Sequence, residues 1–257
     1  MKHDTRSFPV RPALGHALGL AVALAMAAAT LGGCDLLPTV SGSGMMTRSA
    51  YPVAECTTIQ ASHAFRVRVV PDPVFSVTVS CDDNLPPYLV VRREAGGSLR
   101  LGLAQGYSYI GVTLSAEVHM PVVRAIDASG ASSVALDPGF SSAAPLTVVL
   151  SGASRLDAPS VTLGAATFDL SGASRVSCGG TAAALSVTAS GASQAALIDC
   201  AAGSARVDLS GASQAWVDVG PGPITLSASG ASTLYYGGSP SFAACNLSGA
   251  SRTLKVR

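Results

Sequence analysis

Charged residues are scarce in this chain: Asp, Glu, Lys and Arg make up only 12% of 257 positions, and the formal net charge is +1. A near-neutral chain with no polybasic run lacks the electrostatic footprint of a nucleic-acid binder. Histidine is scarcer still. Beyond the first 33 residues only His63 and His119 occur, which gives no zinc-ligand spacing. No Gly-x-Ser-x-Gly elbow, phosphate loop or calcium-binding Gly-Gly-x-Gly-x-Asp repeat is present, and no histidine accompanies the serines as a general base. These gaps leave no catalytic constellation, and no metal or cofactor is expected. The low charge and the 27 glycines do not signal disorder, because 48% of residues are apolar and recur at fixed intervals.

What recurs is Ser-Gly-Ala-Ser, seven times, beginning at Ser129, Ser151, Ser171, Ser190, Ser210, Ser229 and Ser248, at intervals of 22, 20, 19, 20, 19 and 19 residues. A period near twenty is too short for a helical hairpin, so each unit must be one coil of strand and turn that buries its apolar face against its neighbours. The positions one and three before each motif are apolar, as in Val148 and Leu150, Phe168 and Leu170, or Val207 and Leu209, with a polar residue such as Asp169, Thr188 or Asp208 between them. That period of two marks a strand with one buried face. Apolar positions return five and seven residues after the start of the motif, as in Val134 and Leu136 or Leu156 and Ala158, so each coil carries at least two strands around a corner. Glycine suits a corner with positive φ, alanine a narrow interior, and serine hydroxyls satisfy backbone groups at the bend.

The chain opens with Lys2, Arg6 and Arg11, an alanine-rich apolar run from Ala13 to Ala29, and Leu31-Gly32-Gly33-Cys34. The run is short for a membrane span and reads as an export signal, residues 1–33. Its end is similar to the lipobox of bacterial lipoproteins, which implies acylation of Cys34. Asp35 in that resemblance favours inner-membrane retention. Residues 34–44 are expected to tether the lipid to a folded part spanning 45–257, whose regular coils occupy 127–257. Between Met45 and Val123, short apolar runs separated by Pro71-Asp72-Pro73, Asp82-Asp83-Asn84, Pro86-Pro87 and Gly96-Gly97 predict less regular strands that cap the first end. Five cysteines follow Cys34, so pairing is incomplete. Cys56 and Cys81 are the best disulfide candidates, Cys178 and Cys200 lie on neighbouring coils and could pair if their corners meet, and Cys245 is expected to be a buried free thiol.

From Gly42-Ser43-Gly44 onward the chain resembles the head GIN domain family, described as auto-transporter adhesins. Asp83-Asn84-Leu85 with Tyr88, Val118-His119-Met120-Pro121, the Ser-Gly-Ala-Ser series and Tyr236-Gly237-Gly238-Ser239-Pro240 carry the resemblance. It implies an all-β fold, a right-handed parallel β-helix of about 19–20 residues per coil on the bacterial envelope, with no catalytic residues to transfer.

The column after each motif stacks Arg155, Arg175, Gln194, Gln214, Thr233 and Arg252, and two positions on Trp216 and Tyr235 fall on adjacent coils. Facing outward, these would form a platform for a sugar or an extended peptide. The function this predicts is a lipid-anchored envelope protein with a non-catalytic, adhesin-like surface for glycans or envelope proteins, facing the periplasm or the cell surface. Two alternatives stand beside it. One is a carbohydrate-active enzyme using Asp169 and Asp208, two coils and about 9 to 10 Å apart along the stack. The other is a structural or sensory envelope component that self-associates through open ends. Arg252, Lys255 and Arg257 on the last strand argue against such pairing and predict a monomer.

Overall fold

The structure, a computed structural model, describes residues 37–257, of which 39–257 form one compact unit. Cys34 and its leader lie outside the described residues. Nine strands precede the regular repeat: β1 (Thr39–Ser41), β2 (Met46–Tyr51), β3 (Thr58–Ala61), β4 (Arg66–Pro71), β5 (Ser76–Asp82), β6 (Leu89–Glu94), β7 (Ser98–Leu103), β8 (Ser108–Ile110) and β9 (Leu114–Met120). The repeat supplies β10 (Ala125–Ala128), β11 (Ser133–Leu136), β12 (Phe140–Ser142), β13 (Leu146–Leu150), β14 (Arg155–Leu170), β15 (Arg175–Ala189), β16 (Gln194–Ala202), β17 (Ala205–Leu209), β18 (Gln214–Val219), β19 (Pro223–Ala228), β20 (Thr233–Gly238), β21 (Ser241–Leu247) and β22 (Arg252–Lys255).

Parallel pairing stacks these strands into a β-solenoid. One column, just before each corner, runs β7, β3, β10, β13, the ends of β14 and β15, β17, β19 and β21. A second, just after it, runs β9, β4, β11, the starts of β14, β15, β16 and β18, then β20 and β22. The chain shows a third column that alternation alone does not reveal: β12, Val161–Leu163 of β14, Gly180–Ala182 of β15 and the end of β16. The coil is thus three-sided. Register slips at Ala158/Val161 and Ser177/Gly179 break the period of two where the chain bends into that face.

Inward positions build one continuous apolar core, with Ile59, Phe65, Leu99, Ile126, Leu156, Phe168, Leu197 and Ile224 wholly buried. The N-terminal cap is partly antiparallel. β6 folds back on β7, and β5 joins β9 and then β2 by antiparallel ladders, so the second column continues past the coils as a sheet β9-β5-β2.

The expected tether ends sooner than residue 44. Thr39–Ser41 pairs with β8, and the following glycines clasp the Asp82 turn. There the buried Asp82 carboxylate accepts from the Gly44 N–H at 2.8 Å and the Thr113 N–H at 2.7 Å, while Ser43 Oγ donates to Asp83 at 2.6 Å and Asn84 Nδ2 to the Ser41 carbonyl at 2.8 Å. Gly42 has no room for a side chain, since a Cβ would stand 2.5 Å from the Gly111 carbonyl oxygen. Two separated motifs, Gly42-Ser43-Gly44 and Asp82-Asp83-Asn84, are therefore one structural clasp that gives a buried charge the hydrogen bonds it requires.

The corners also differ from expectation in one respect. Each alanine is exposed, and the second serine is the residue that turns inward, buried at Ser132, Ser154, Ser174, Ser193, Ser213 and Ser232. Its hydroxyl donates to the carbonyl of the first serine at 2.7 to 2.9 Å, closing the turn. A small polar side chain bonded to its own turn fills a site too tight for a large apolar one. The first residue of the corner is bonded coil to coil, and the alanine N–H reaches the glycine carbonyl of the coil below, as from Ala192 to Gly172 at 2.8 Å.

Cys56 and Cys81 are both free and buried, and no bridge joins them. Cys56 sits ahead of β3, its thiol directed at the Ala54 carbonyl at 3.3 Å, whereas Cys81 lies in β5 opposite Thr47 and Leu114. Cys178 and Cys200 are free, buried thiols; Cys178 Sγ donates to the Gly179 carbonyl at 3.9 Å, and the neighbouring Cys200 thiol, with burial, pushes the Cys178 thiol up. Cys245 is exposed, contrary to the expectation of burial. It stacks on Leu226, but β21 belongs to the last coil and nothing covers its far side.

Candidate functional site

The outward side of the second column is the richest surface in chemistry. Alternation along β18 buries Ala215 and Val217 completely and turns Trp216 out, half-buried. Register places Ala196, Trp216, Tyr235 and Leu254 in one row across β16, β18, β20 and β22. The two rings stack with centroids 4.9 Å apart and planes 6° from parallel. That separation matches the strand spacing of about 4.8 Å, so in-register pairing itself sets the contact. Each ring covers one face of the other, so the pair presents its edges, an indole N–H and a phenol hydroxyl, with the outer faces turned toward the Ala196 and Leu254 positions. Among the described residues neither polar group has a hydrogen-bond partner.

The row beside it is as the repeat spacing predicts: Arg155, Arg175, Gln194, Gln214, Thr233 and Arg252 occupy successive register positions. Arg155 and Arg175 are exposed, Gln194 and Gln214 half-buried, and Thr233 is buried. Arg175 Nε donates to Gln194 Oε1 at 3.0 Å. On the other flank Arg257 folds back toward Asp199 at 3.5 Å and Asp218 at 3.4 Å and donates to the Ile198 carbonyl. The aromatic pair is thus bordered by amides on one side and by an ion-paired carboxylate cluster on the other.

A second feature of the same sheet escaped the sequence reading. Toward the cap, outward side chains of β2, β5, β9, β4, β11 and β14 line a single groove of about 580 Å³. Long arginine side chains stand around the short Thr78, Ser80, Ser115 and Ser133 side chains, and the hollow lies between them. Arg48 lies 3.3 Å and Arg68 3.6 Å from Glu117, and Arg68 forks onto Asp137 at 2.7 and 3.1 Å. The Asp137 contacts hold the Arg68 guanidinium firmly in its charged form. Arg66 and Arg155 also line the groove.

Asp169, Thr188 and Asp208 do align on successive coils, but Asp208 is engaged by Arg206 Nε at 3.1 Å. His119, on β9, lies between Asp72 at 3.1 Å and Glu117 at 3.4 Å. The Val74 N–H and then His119 hold Asp72 below the usual carboxylate range. His63 replaces glycine at the first corner, with φ 58°, its ring against Tyr109 and its Nδ1 accepting from the Leu103 N–H at 3.4 Å. Burial, and then Arg100, push its pKa down. Among the described residues no group of three or more His, Cys, Asp or Glu side chains could hold a metal ion, and no helix is long and apolar enough to cross a membrane.

A family model described as "Putative auto-transporter adhesin, head GIN domain" matches residues 55–240. Among solved structures, the chain is similar to a "putative adhesin" from Bacteroides fragilis, with TM-score 0.70 and 16% identity, covering 84% of this chain and 100% of that one. A "putative lipid binding protein" from Parabacteroides distasonis gives TM-score 0.66 at 16% identity, covering 85% of this chain and 100% of that one. A "putative adhesin" from Parabacteroides merdae gives 0.60 at 13%, covering 86% and 100%. At such identities these likenesses concern the fold. No curated protein matches.

Proposed function

Since this chain belongs to the head GIN domain family of auto-transporter adhesins, we propose that it is a lipid-anchored bacterial envelope protein whose solenoid is a non-catalytic binding surface. The observation that carries this reading is the stacked Trp216–Tyr235 pair on an outward row, bordered by Gln194 and Gln214 on one side and the Arg257–Asp218 pair on the other. Aromatic edges with free N–H and O–H groups beside amides suit a hydroxyl-rich chain laid across the strands. A rigid β-scaffold holds the row in place, so little ordering entropy is lost on binding. Adhesin-like recognition needs no general acid, base or metal. Anchoring through Cys34 follows from the Leu31-Gly32-Gly33-Cys34 lipobox, and two or more acyl chains give stable membrane attachment.

Two experiments test it. Fatty-acid labelling in a bacterial host should mark the wild-type protein and not Cys34→Ala, and equal labelling of both would remove the anchor. Retention on immobilised envelope glycans should be lost in the Trp216→Ala, Tyr235→Ala double variant.

A further inference from the structure

The groove at the capped end carries a separate recognition chemistry. Arg48 and Arg68 spend their charge on Glu117 and Asp137. Arg66 and Arg155 are left without a carboxylate partner among the described residues. Register sets both against the same residue, Ser133, one strand to either side. Their backbones are therefore about 9 to 10 Å apart, with a short side chain between them. Two long guanidinium arms flank a gap that a small oxyanion fills, and the Ser133 hydroxyl, which has no protein partner among the described residues, faces the same groove.

We propose that this groove binds an acidic glycan, its uronate or sulfate groups held by Arg66 and Arg155 with Ser133 as a further donor. Serine and threonine hydroxyls from β5 and β9 line the walls, which suits a hydroxyl-rich ligand. No aromatic side chain lines the groove, so it offers nothing on which a nucleobase would stack. Val67, Ala116 and Val134 point into the core and Ala135 is the one exposed aliphatic side chain along the groove, too little to sheathe an acyl chain. One group opposes the ligand. Asp157 stands two residues beyond Arg155 on the same face and has no arginine partner of its own, so it weakens the attraction for anions.

The inference deepens the binding-surface reading but rests on different side chains, so the two fail separately. The test is equilibrium binding of the full chain to heparin and to polygalacturonate, with dextran as the uncharged control and phosphatidylglycerol vesicles as the lipid arm. The wild type should bind at least one acidic polysaccharide at low salt, more weakly as salt rises, and should not bind dextran. Arg66→Gln with Arg155→Gln should lose about tenfold or more in affinity, at an unchanged melting temperature. Asp157→Asn should gain about threefold, a change that a misfolded protein would not show. Trp216→Ala should leave this binding intact. Failure to bind either acidic polysaccharide, equal affinity in the double arginine variant, or binding confined to the vesicles would each overturn the proposal. Loss of neutral-glycan retention in the aromatic variant alone would leave the proposal standing.

Discussion

At the residue scale, the corners owe their sequence to steric and hydrogen-bond demands. Gly191 has φ 69°, and a Cβ on it would stand 2.5 Å from the Gly172 carbonyl oxygen, the atom that accepts from the next corner's backbone. The same approach recurs up the column, so each glycine is needed both for its conformation and for the coil beneath it. Gly191→Val should therefore destabilise the protein by about 1 to 3 kcal/mol from backbone strain, with the clash adding to it. A thermal melt reads the loss, and an unchanged midpoint would contradict it. The buried serine contributes differently, through one turn-closing bond of about 1 kcal/mol per corner. The first corner departs from the rule: His63 takes the glycine position with φ 58°, its imidazole packs against Tyr109, and a Cβ on Gly130 would lie 3.7 Å from the His63 backbone nitrogen, without the clash found further up the column. Burial, then Arg100, lowers the His63 pKa from 6.5, so the unfolded chain takes up the proton first. Stability is then full above that value and declines as the pH falls below it toward the folded value. Denaturant melts between pH 7 and 5 should show that decline in the wild type and a shallower one in His63→Asn, which tolerates positive φ. Parallel slopes would refute the assignment.

At the element scale, the sequence made some strands plain and hid others. Val148 and Leu150, or Phe168 and Leu170, alternate cleanly because one flat face is buried, and β13, β14 and β17 lie where that pattern puts them. The third face was hidden because β14 and β15 bend within a continuous strand, at Pro159-Ser160 and Gly179-Gly180, and each bend shifts the inward phase. The Trp216–Tyr235 row was legible, since it follows from repeat spacing and parity. The arginine groove was not. Arg48 and Glu117 meet across 69 residues through an antiparallel β2-β5-β9 sheet, and no local pattern encodes that pairing. The cysteines show the limit of parity alone. Cys245 occupies an inward position yet is exposed, because the last coil has no neighbour above it, while Cys56, Cys81, Cys178 and Cys200 are buried. Alkylation of the native mature protein, followed by peptide mapping, should modify Cys245 rapidly and protect those four until denaturant is added. Rapid native labelling of Cys178 or Cys200 would contradict the packing of the coils.

At the scale of the whole folded unit, 39–257, the two ends are treated differently. Antiparallel pairing, in the β6–β7 hairpin and in the β9-β5-β2 sheet, closes the first end. The last coil leaves Leu247, Leu254 and Val256 exposed. Arg252 and Lys255 on β22 place positive charge along that edge, and a like-charged edge discourages a second copy from extending the sheet. Sedimentation should accordingly give a monomer mass at all concentrations, and a mass that grows with concentration would show end-to-end association. Between the ends, one outward sheet face carries the stacked aromatics near one end and the arginine groove near the other, and recognition by that face is the core of the account. The measurement that tests it most directly is a glycan array probed with the wild type beside the Trp216→Ala, Tyr235→Ala double variant, with both melting points recorded. The wild type should retain a defined set of glycans, and the variant, still folded but with its midpoint lowered by the lost stack, should lose the neutral members of that set. An array silent to the wild type, or identical for the two proteins, would contradict it.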